Sequence, residues 1–294
     1  MQAILILAHK NPEQVLELSR ILKPKFSVYI HFDKKMHLTK KYKKELEEND
    51  INYISEFDVK WGSWSIVEAT ISLIKLVLQN KDIEYLHLIS GQDWPIKNLE
   101  ETYNFFEANK KYMFMTNYES KNIKKSGEPI IWWQKYYYNY DNINRKSTFG
   151  KIYHRINILV QTIIRINKFK KLSVNLNIYS GSQWFDAPRD MVEYAVKYLE
   201  DNKNVKKMFK SGFCSDEFWL QTILCNNQKL KNRIINDNKR YIDWTKKNES
   251  YPAVLDLEDY DSLKESNAFF ARKIDFKFSK KLINKLNKNI ILKK

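Results

Sequence analysis

Ser215-Asp216-Glu217 runs directly into the apolar residues Phe218-Trp219-Leu220. With Ser215 as an N-cap, both acids fall in the first turn of a helix, where the dipole favours ionised carboxylates ready to accept protons. Burial would push their pKa values back up. Glu217 is thus a candidate general base, although acids in a first turn also serve simply to complement the dipole. Arg240, Arg272 and Lys273 are candidates for holding phosphate oxygens, or are ordinary surface charge. Asp259-Tyr260-Asp261 has the spacing of a metal–nucleotide motif, but beside Glu258 and Ser262 it reads as a helix cap. Asp33 ends an apolar run and is followed by Lys34-Lys35, which would repel a cation. Cys214 and Cys225 lack the company of metal ligands, and no Gly-rich phosphate loop, G-x-S-x-G elbow or HExxH helix occurs. These residues suit transfer chemistry driven by positioning and charge.

Such side chains need a scaffold, and the hydrophobic pattern supplies one. An apolar run at residues 3–8 leads to Asn11-Pro12-Glu13, a helix start, and Pro24 ends that helix before the apolar segment Phe26–Phe32. Trp61-Gly62-Ser63-Trp64-Ser65 precedes a helix with the stripe Ile66, Ala69, Leu73, Leu76 and Val77, and Ser65 and Glu68 have capping-box spacing. Tyr85–Ser90 reads as a buried strand broken at Gly91-Gln92-Asp93-Trp94-Pro95; Asn98-x-x-Glu101 opens another helix, and a strand follows at 112–116. This alternation predicts an α/β fold with a mainly parallel sheet flanked by helices, in which ligands bind at the carboxyl ends of the strands. Residues 118–150 read as an insertion containing Trp132-Trp133 and Tyr136-Tyr137-Tyr138. A helix over 152–166 places Ile152, Ile156, Leu159, Val160 and Ile163 on one face. Further strands are expected at 179–185 and 240–244. The reading is one domain over 1–275 and a basic tail over 276–294. In that tail Leu282, Ile283, Leu286 and Ile290 form a stripe among Lys280, Lys281, Lys285, Lys288, Lys293 and Lys294. The tail is either an amphipathic helix lying on anionic lipid or a final helix packed on the domain.

Composition narrows the function classes. The chain has 294 residues with 51 Lys and Arg against 35 Asp and Glu, a net charge of +16. Only eight of the 51 are arginine, so the surplus suits loose attraction to polyanions better than base-specific reading of nucleic acid. Hydrophobic residues make up 43%, too many for a disordered chain, and no apolar run is long enough to span a bilayer. With a short apolar amino terminus lacking a basic leader and only two cysteines, the expectation is a soluble protein of a reducing cytoplasm.

Seven segments taken together resemble one family. They are Ala8-His9-Lys10-Asn11-Pro12-Glu13-Gln14, Ile30-His31-Phe32-Asp33-Lys34-Lys35, Trp61-Gly62-Ser63-Trp64-Ser65, Tyr85 through Lys97, Gly181-Ser182-Gln183-Trp184-Phe185, Ser215-Asp216-Glu217 and Phe270-Ala271-Arg272-Lys273. In that order they resemble glycosyltransferase family 14, the core-2/I-branching β-1,6-N-acetylglucosaminyltransferases and the peptide O-xylosyltransferases. The resemblance implies a GT-A-type fold, a UDP-sugar donor, inversion at the anomeric carbon and no divalent metal. Glu217 takes the place of the catalytic base. Lys273 and, less securely matched, Arg240 fall to the diphosphate. Asp33, Trp61 and Ser63 fall to the nucleotide side, Asp93 and Trp94 to the floor, and Gln183 and Trp184 beside the sugars. Trp132 and Trp133 offer flat faces to an acceptor pyranose, or else pack the insertion down. Animal members carry a membrane anchor, a stem and disulfides that are missing here, so the chain resembles a bacterial cytoplasmic relative. A glycan or lipid-linked glycan at the inner membrane face is then the expected acceptor, in surface polysaccharide synthesis. UDP-GlcNAc is the expected donor, with UDP-xylose as the alternative. A non-enzymatic polyanion or nucleic-acid binder is the weaker reading, because no nucleic-acid module is recognisable.

Overall fold

In Gln2–Ala8, strand β1, successive side chains point to opposite sides, so Ala3 and Leu5 enter one core while Ile4 and Ile6 enter another. The computed structural model describes residues 1–125 and 127–288. The strands that follow β1 are β2 (Ser27–Phe32), β3 (Asn52–Ile54), β4 (Tyr85–Ser90), β5 (Asp93–Pro95) and β6 (Met113–Glu119). A short hairpin, β7 (Lys124–Lys125) with β8 (Glu128–Pro129), precedes β9 (Tyr179–Pro188), β10 (Ile234–Ile235), β11 (Arg240–Ile242) and β12 (Phe270–Arg272). The central sheet has the order β10-β6-β9-β4-β1-β2-β3. It is parallel except at β9, which runs against both β4 and β6. This is the mainly parallel, helix-flanked α/β sheet that the alternating pattern predicts.

Because β1, β2 and β4 are parallel, their carboxyl ends open on one edge and present His9-Lys10, Asp33 and Gly91-Gln92-Asp93 together. Antiparallel β9 brings its own beginning, including Gln183, to the same edge. A second sheet, β11-β12-β5, sets Arg272 opposite Asp93 and Ala271 opposite Trp94.

A buried polar cluster ties the two sheets. Arg240 clasps Asp186 through two bonds of 2.8 Å and also donates to the carbonyls of Leu88 and Phe185. His87 Nδ1 lies 2.9 Å from Asp186 Oδ1. Burial works against the Asp186 charge, but the guanidinium and the imidazole beside it hold its carboxyl below the usual range. Arg240 is therefore committed to the interior and does not face a nucleotide, contrary to the expectation for it.

Several local expectations are corrected. The helix Ser65–Leu78 has no side-chain N-cap; Ser65 Oγ instead accepts from the Lys60 amide and meets Ser63 Oγ at 2.5 Å. The Asn98 side chain does cap Leu99–Ala108, accepting from the amides of Glu100 and Glu101. Asp259 closes a capping box with Asp256 and pairs with Lys247, in keeping with its reading as a cap. The last described helix, Phe276–Leu286, buries Leu282, Ile283 and Leu286 in the core, and Trp94 Nε1 donates to Asn287 just beyond it. Of the two readings left open for this stripe, packing on the domain holds for these three side chains, each stabilising the fold by about 1.5–3 kcal/mol. Ile290, Lys293 and Lys294 lie outside the described residues. The helix Thr148–Ile163 does the reverse, leaving Ile152, Ile156, Leu159, Val160 and Ile163 exposed.

Candidate active site

At the carboxyl edge the chain gathers cations with few acids to match them. Arg272 lies over the Trp184 ring at 4.1 Å, and its Nη1 is 3.4 Å from Asp93 Oδ1, too poorly placed for a hydrogen bond. Asp93 spends its other oxygen on the Ser90 amide at 2.5 Å. Beside Arg272, the Lys273 ammonium donates, among the described residues, only to the Ser250 hydroxyl and the Tyr251 carbonyl. Burial, with the like charges of Arg272, Lys146 and Lys10, pushes the Lys273 pKa down to about 8. Burial and the same three neighbours also lower the pKa of His9, while Asp33 opposes them. Lys10 is paired with Asp275 at 2.7 Å. Lys146 makes no ion pair among the described residues and rests over the exposed Trp61 ring at 5.1 Å. The result is a cluster of positive charge gathered from distant parts of the chain, with Asp33, Asp93 and Asp275 among the cations. Among the described residues no group of three or more His, Cys, Asp or Glu is placed to hold a metal ion.

Glu217 lies in a second arm of the site. The segment Ser215–Glu217 is a short 3-10 turn entered from Cys214 at φ 51°, and the helix proper begins only at Trp219. Ser215 is not its N-cap; the hydroxyl donates to the Phe209 carbonyl at 2.6 Å. Burial, not a helix dipole, sets the acidity here. It raises the pKa values of both Asp216 and Glu217, and Lys125 on the hairpin strand β7 pulls against it from 3.3 Å. The Glu217 side chain keeps 28% exposure, enough for an incoming group to reach it. The Lys125 ammonium also lies 5.6 Å from the centre of the Trp133 ring.

The two arms touch through the loop that follows Lys60. Trp61 meets Phe213 edge-on at 5.6 Å, and the Cys214 amide donates to the Gly62 carbonyl at 2.9 Å. Gly62 has φ +74°, and a Cβ there would stand 2.5 Å from the Phe213 ring, so only glycine fits this crossing. A cavity of about 250 Å³ opens beside it, lined by Lys35, Lys60, Trp61, Ile143 and Arg145. A larger cavity of about 540 Å³ is lined by Asp58, Glu68 and Asp141, acids that disfavour a phosphate ligand.

A family model described as Core-2/I-Branching enzyme matches residues 3–264. The chain belongs to the Core-2/I-branching enzyme family. It is 23% identical over 129 residues to the beta-glucuronosyltransferase GlcAT14B of Arabidopsis thaliana, covering 44% of this chain and 29% of that protein. It is likewise 23% identical over 292 residues to the xylosyltransferase oxt of Drosophila melanogaster, covering 90% of this chain and 31% of that protein. The chain thus spans less than a third of the length of these curated relatives. Among solved structures, S. aureus TarS 1-349 in complex with UDP matches with TM-score 0.40 and 13% identity, over 94% of this chain and 61% of that one.

In this Core-2/I-branching chain the site unites Asp33, Trp61, Asp93, Trp184 and Lys273 around Arg272 and His9, and sets Glu217 on the adjoining arm. Gln183 is half-buried near the edge, and its side chain makes no hydrogen bond among the described residues. Five other expected residues lie elsewhere. Trp94 alternates with Asp93 on β5 and so points into the opposite core, fully buried. Ser63 is buried and its hydroxyl is taken up with Ser65. Trp133 packs on Phe213 and Phe218 inside the insertion, so it offers no open sugar face, while Trp132 is half-buried against Tyr136. Arg240, the fifth, is held by Asp186. Sequence reading passed over His9, Lys125 and Lys146 as site residues. For Lys125 no signal existed, since a lysine in a polar hairpin looks like any other among so many.

Proposed function

We propose that the protein is an inverting glycosyltransferase of GT-A type that needs no divalent metal and moves GlcNAc from UDP-GlcNAc to a hydroxyl of a glycan acceptor. The observation that carries the reading is the cluster of Arg272, Lys273 and Lys146, against which only Asp93 is paired, with the carboxylate of Glu217 on the adjoining arm. The cations would receive the diphosphate, whose negative charge grows as the glycosidic bond breaks. The nucleoside would occupy the cavity beside Trp61, which Lys35 lines and Asp33 backs by accepting from the Lys35 amide. Glu217, once ionised, would take the proton from the acceptor hydroxyl while that oxygen attacks C1 from the face opposite UDP. Proton, sugar and leaving group are then all accounted for: the acceptor gains the glycosyl unit, Glu217 the proton, and UDP leaves with the bonding pair. A lipid-linked or surface polysaccharide intermediate in a bacterial cytoplasm is the acceptor this reading favours, and nucleic acid is not a partner.

Incubation with UDP-GlcNAc, UDP-xylose and UDP-glucuronate in EDTA, with UDP release as the readout, tests the donor and the metal together. Release from UDP-GlcNAc in EDTA is expected; activity only after manganese is added would reject metal independence, and activity with UDP-xylose alone would reassign the sugar.

Lys273 gives a separate expectation. Its charge is present below about pH 8 and lost above it. Diphosphate binding stabilises the charged form, so UDP affinity should weaken with rising pH by up to about tenfold per pH unit above that value. Isothermal titration across that range measures it, and a flat profile would remove Lys273 from the phosphate site.

A further inference from the structure

The helix Thr148–Ile163 is inverted relative to an ordinary surface helix. Its inward side is polar: His154 bonds the Tyr140 hydroxyl at 2.6 Å and Glu128 at 2.9 Å, Gln161 donates to the Tyr137 carbonyl, and Asn157 does the same. Its outward side is apolar. Phe149, Ile152, Ile156, Leu159 and Ile163 are 52–68% exposed, and Val160 is 46% exposed. At 100° per residue these six fall within an arc of roughly 100°, and from Phe149 to Ile163 they extend about 21 Å. A continuous aliphatic strip of this kind in water marks a surface that something else covers.

The charge around the strip says what. Between Asp141 and Asp186 the chain has no acidic residue, whereas Arg145, Lys146, Lys151, Arg155, Arg165, Lys168, Lys170 and Lys171 all lie there. Lys168 is buried under Tyr137, but Lys146, Lys151, Arg155, Arg165, Lys170 and Lys171 are exposed, and none makes an ion pair among the described residues. Lys151 and Arg155 run along one flank of the strip, and Arg165, Lys170 and Lys171 stand past its end. Two copies of this face brought together would confront cation with cation, which argues against self-association. An apolar strip flanked by these unpaired cations complements a layer of negative headgroups over hydrocarbon.

We infer that the helix Thr148–Ile163 docks the protein on an anionic bilayer, its isoleucine strip inserted at the interface and its basic flank on the headgroups. No described helix is long and apolar enough to cross a membrane, so this is attachment at the surface. The C-terminal helix cannot serve in its place, because its stripe is in the core. Lys146, three residues before Phe149, belongs to the cation cluster of the site, so docking would bring that cluster close to the lipid surface.

Co-sedimentation with phosphatidylcholine vesicles, with and without phosphatidylglycerol, tests the inference, using the whole chain. Wild type should pellet with the anionic vesicles and release as salt is raised. Ile156→Glu/Ile163→Glu should lose roughly a hundredfold in partitioning, about tenfold per side chain, and Lys151→Glu/Arg155→Glu at least about twentyfold. These positions are exposed, so melting temperature should hold, and Lys280→Glu/Lys281→Glu should pellet like wild type. Three results would overturn the inference: no vesicle binding by the wild type, vesicle binding that survives Ile156→Glu/Ile163→Glu, or a wild-type dimer in light scattering that this double variant converts to monomer without any lipid response.

Discussion

Glu217→Gln is expected to lower kcat by about 10² to 10⁴ while leaving UDP affinity and melting temperature close to those of the wild type. The amide keeps the shape of the carboxylate and its place beside Lys125 but cannot accept the acceptor's proton. In the native protein burial raises the Glu217 pKa and Lys125 only partly offsets this. Because the base works ionised, kcat should fall as pH drops through an apparent pKa above the ordinary carboxylate range, and that acid limb should vanish in the glutamine variant. Asp216 is the rival. Its pKa is also raised by burial and by its neighbour, but one of its oxygens is buried without a partner. Asp216→Asn should therefore cost less in kcat than Glu217→Gln. If single-turnover rates ranked the two the other way, the base would be Asp216.

Asp186→Ala is expected to destabilise the fold by about 3–5 kcal/mol, since it strands the Arg240 guanidinium in the interior beside His87. Urea unfolding of the variant reads this directly. Replacing both members, as Asp186→Leu/Arg240→Met, should cost clearly less than the sum of the single changes, because no charge is then left buried and unpaired. The pair also decides what Arg240 does. A phosphate ligand at this position would weaken UDP binding when changed and leave stability alone; the structure predicts the opposite for Arg240→Met, measured well below its melting temperature.

Much of this was legible in the residues. The runs at 3–8, 26–32 and 85–90 announced parallel strands because strands buried on both faces must be apolar throughout, and the edge where they end follows from their direction. Asp33 was visible as the polar residue that ends such a run, whereas the roles expected of Asp93 and Lys273 came from the resemblance to the family. What escaped depends on contacts made across long stretches of chain. Arg240 looks like an available cation until Asp186, 54 residues away, is seen beside it. Periodicity finds the faces of Thr148–Ile163 and Phe276–Leu286 alike, but it does not say which side of a helix meets the body. In one helix the leucines and isoleucines face in, and in the other His154 and Gln161 do. The turn at Ser215–Glu217 escaped because Ser215 bonds to Phe209 rather than to the helix it precedes.

Strand β5 is three residues long, yet two of its neighbours could not trade places. Asp93 sits opposite Arg272 and Trp94 opposite Ala271, one on each side of the pleat. Slipping the pairing by a single residue would drive a carboxylate into hydrocarbon and swing an indole out beside Arg272. Register in this small sheet is accordingly a condition of folding and, under the proposed function, of donor binding at once.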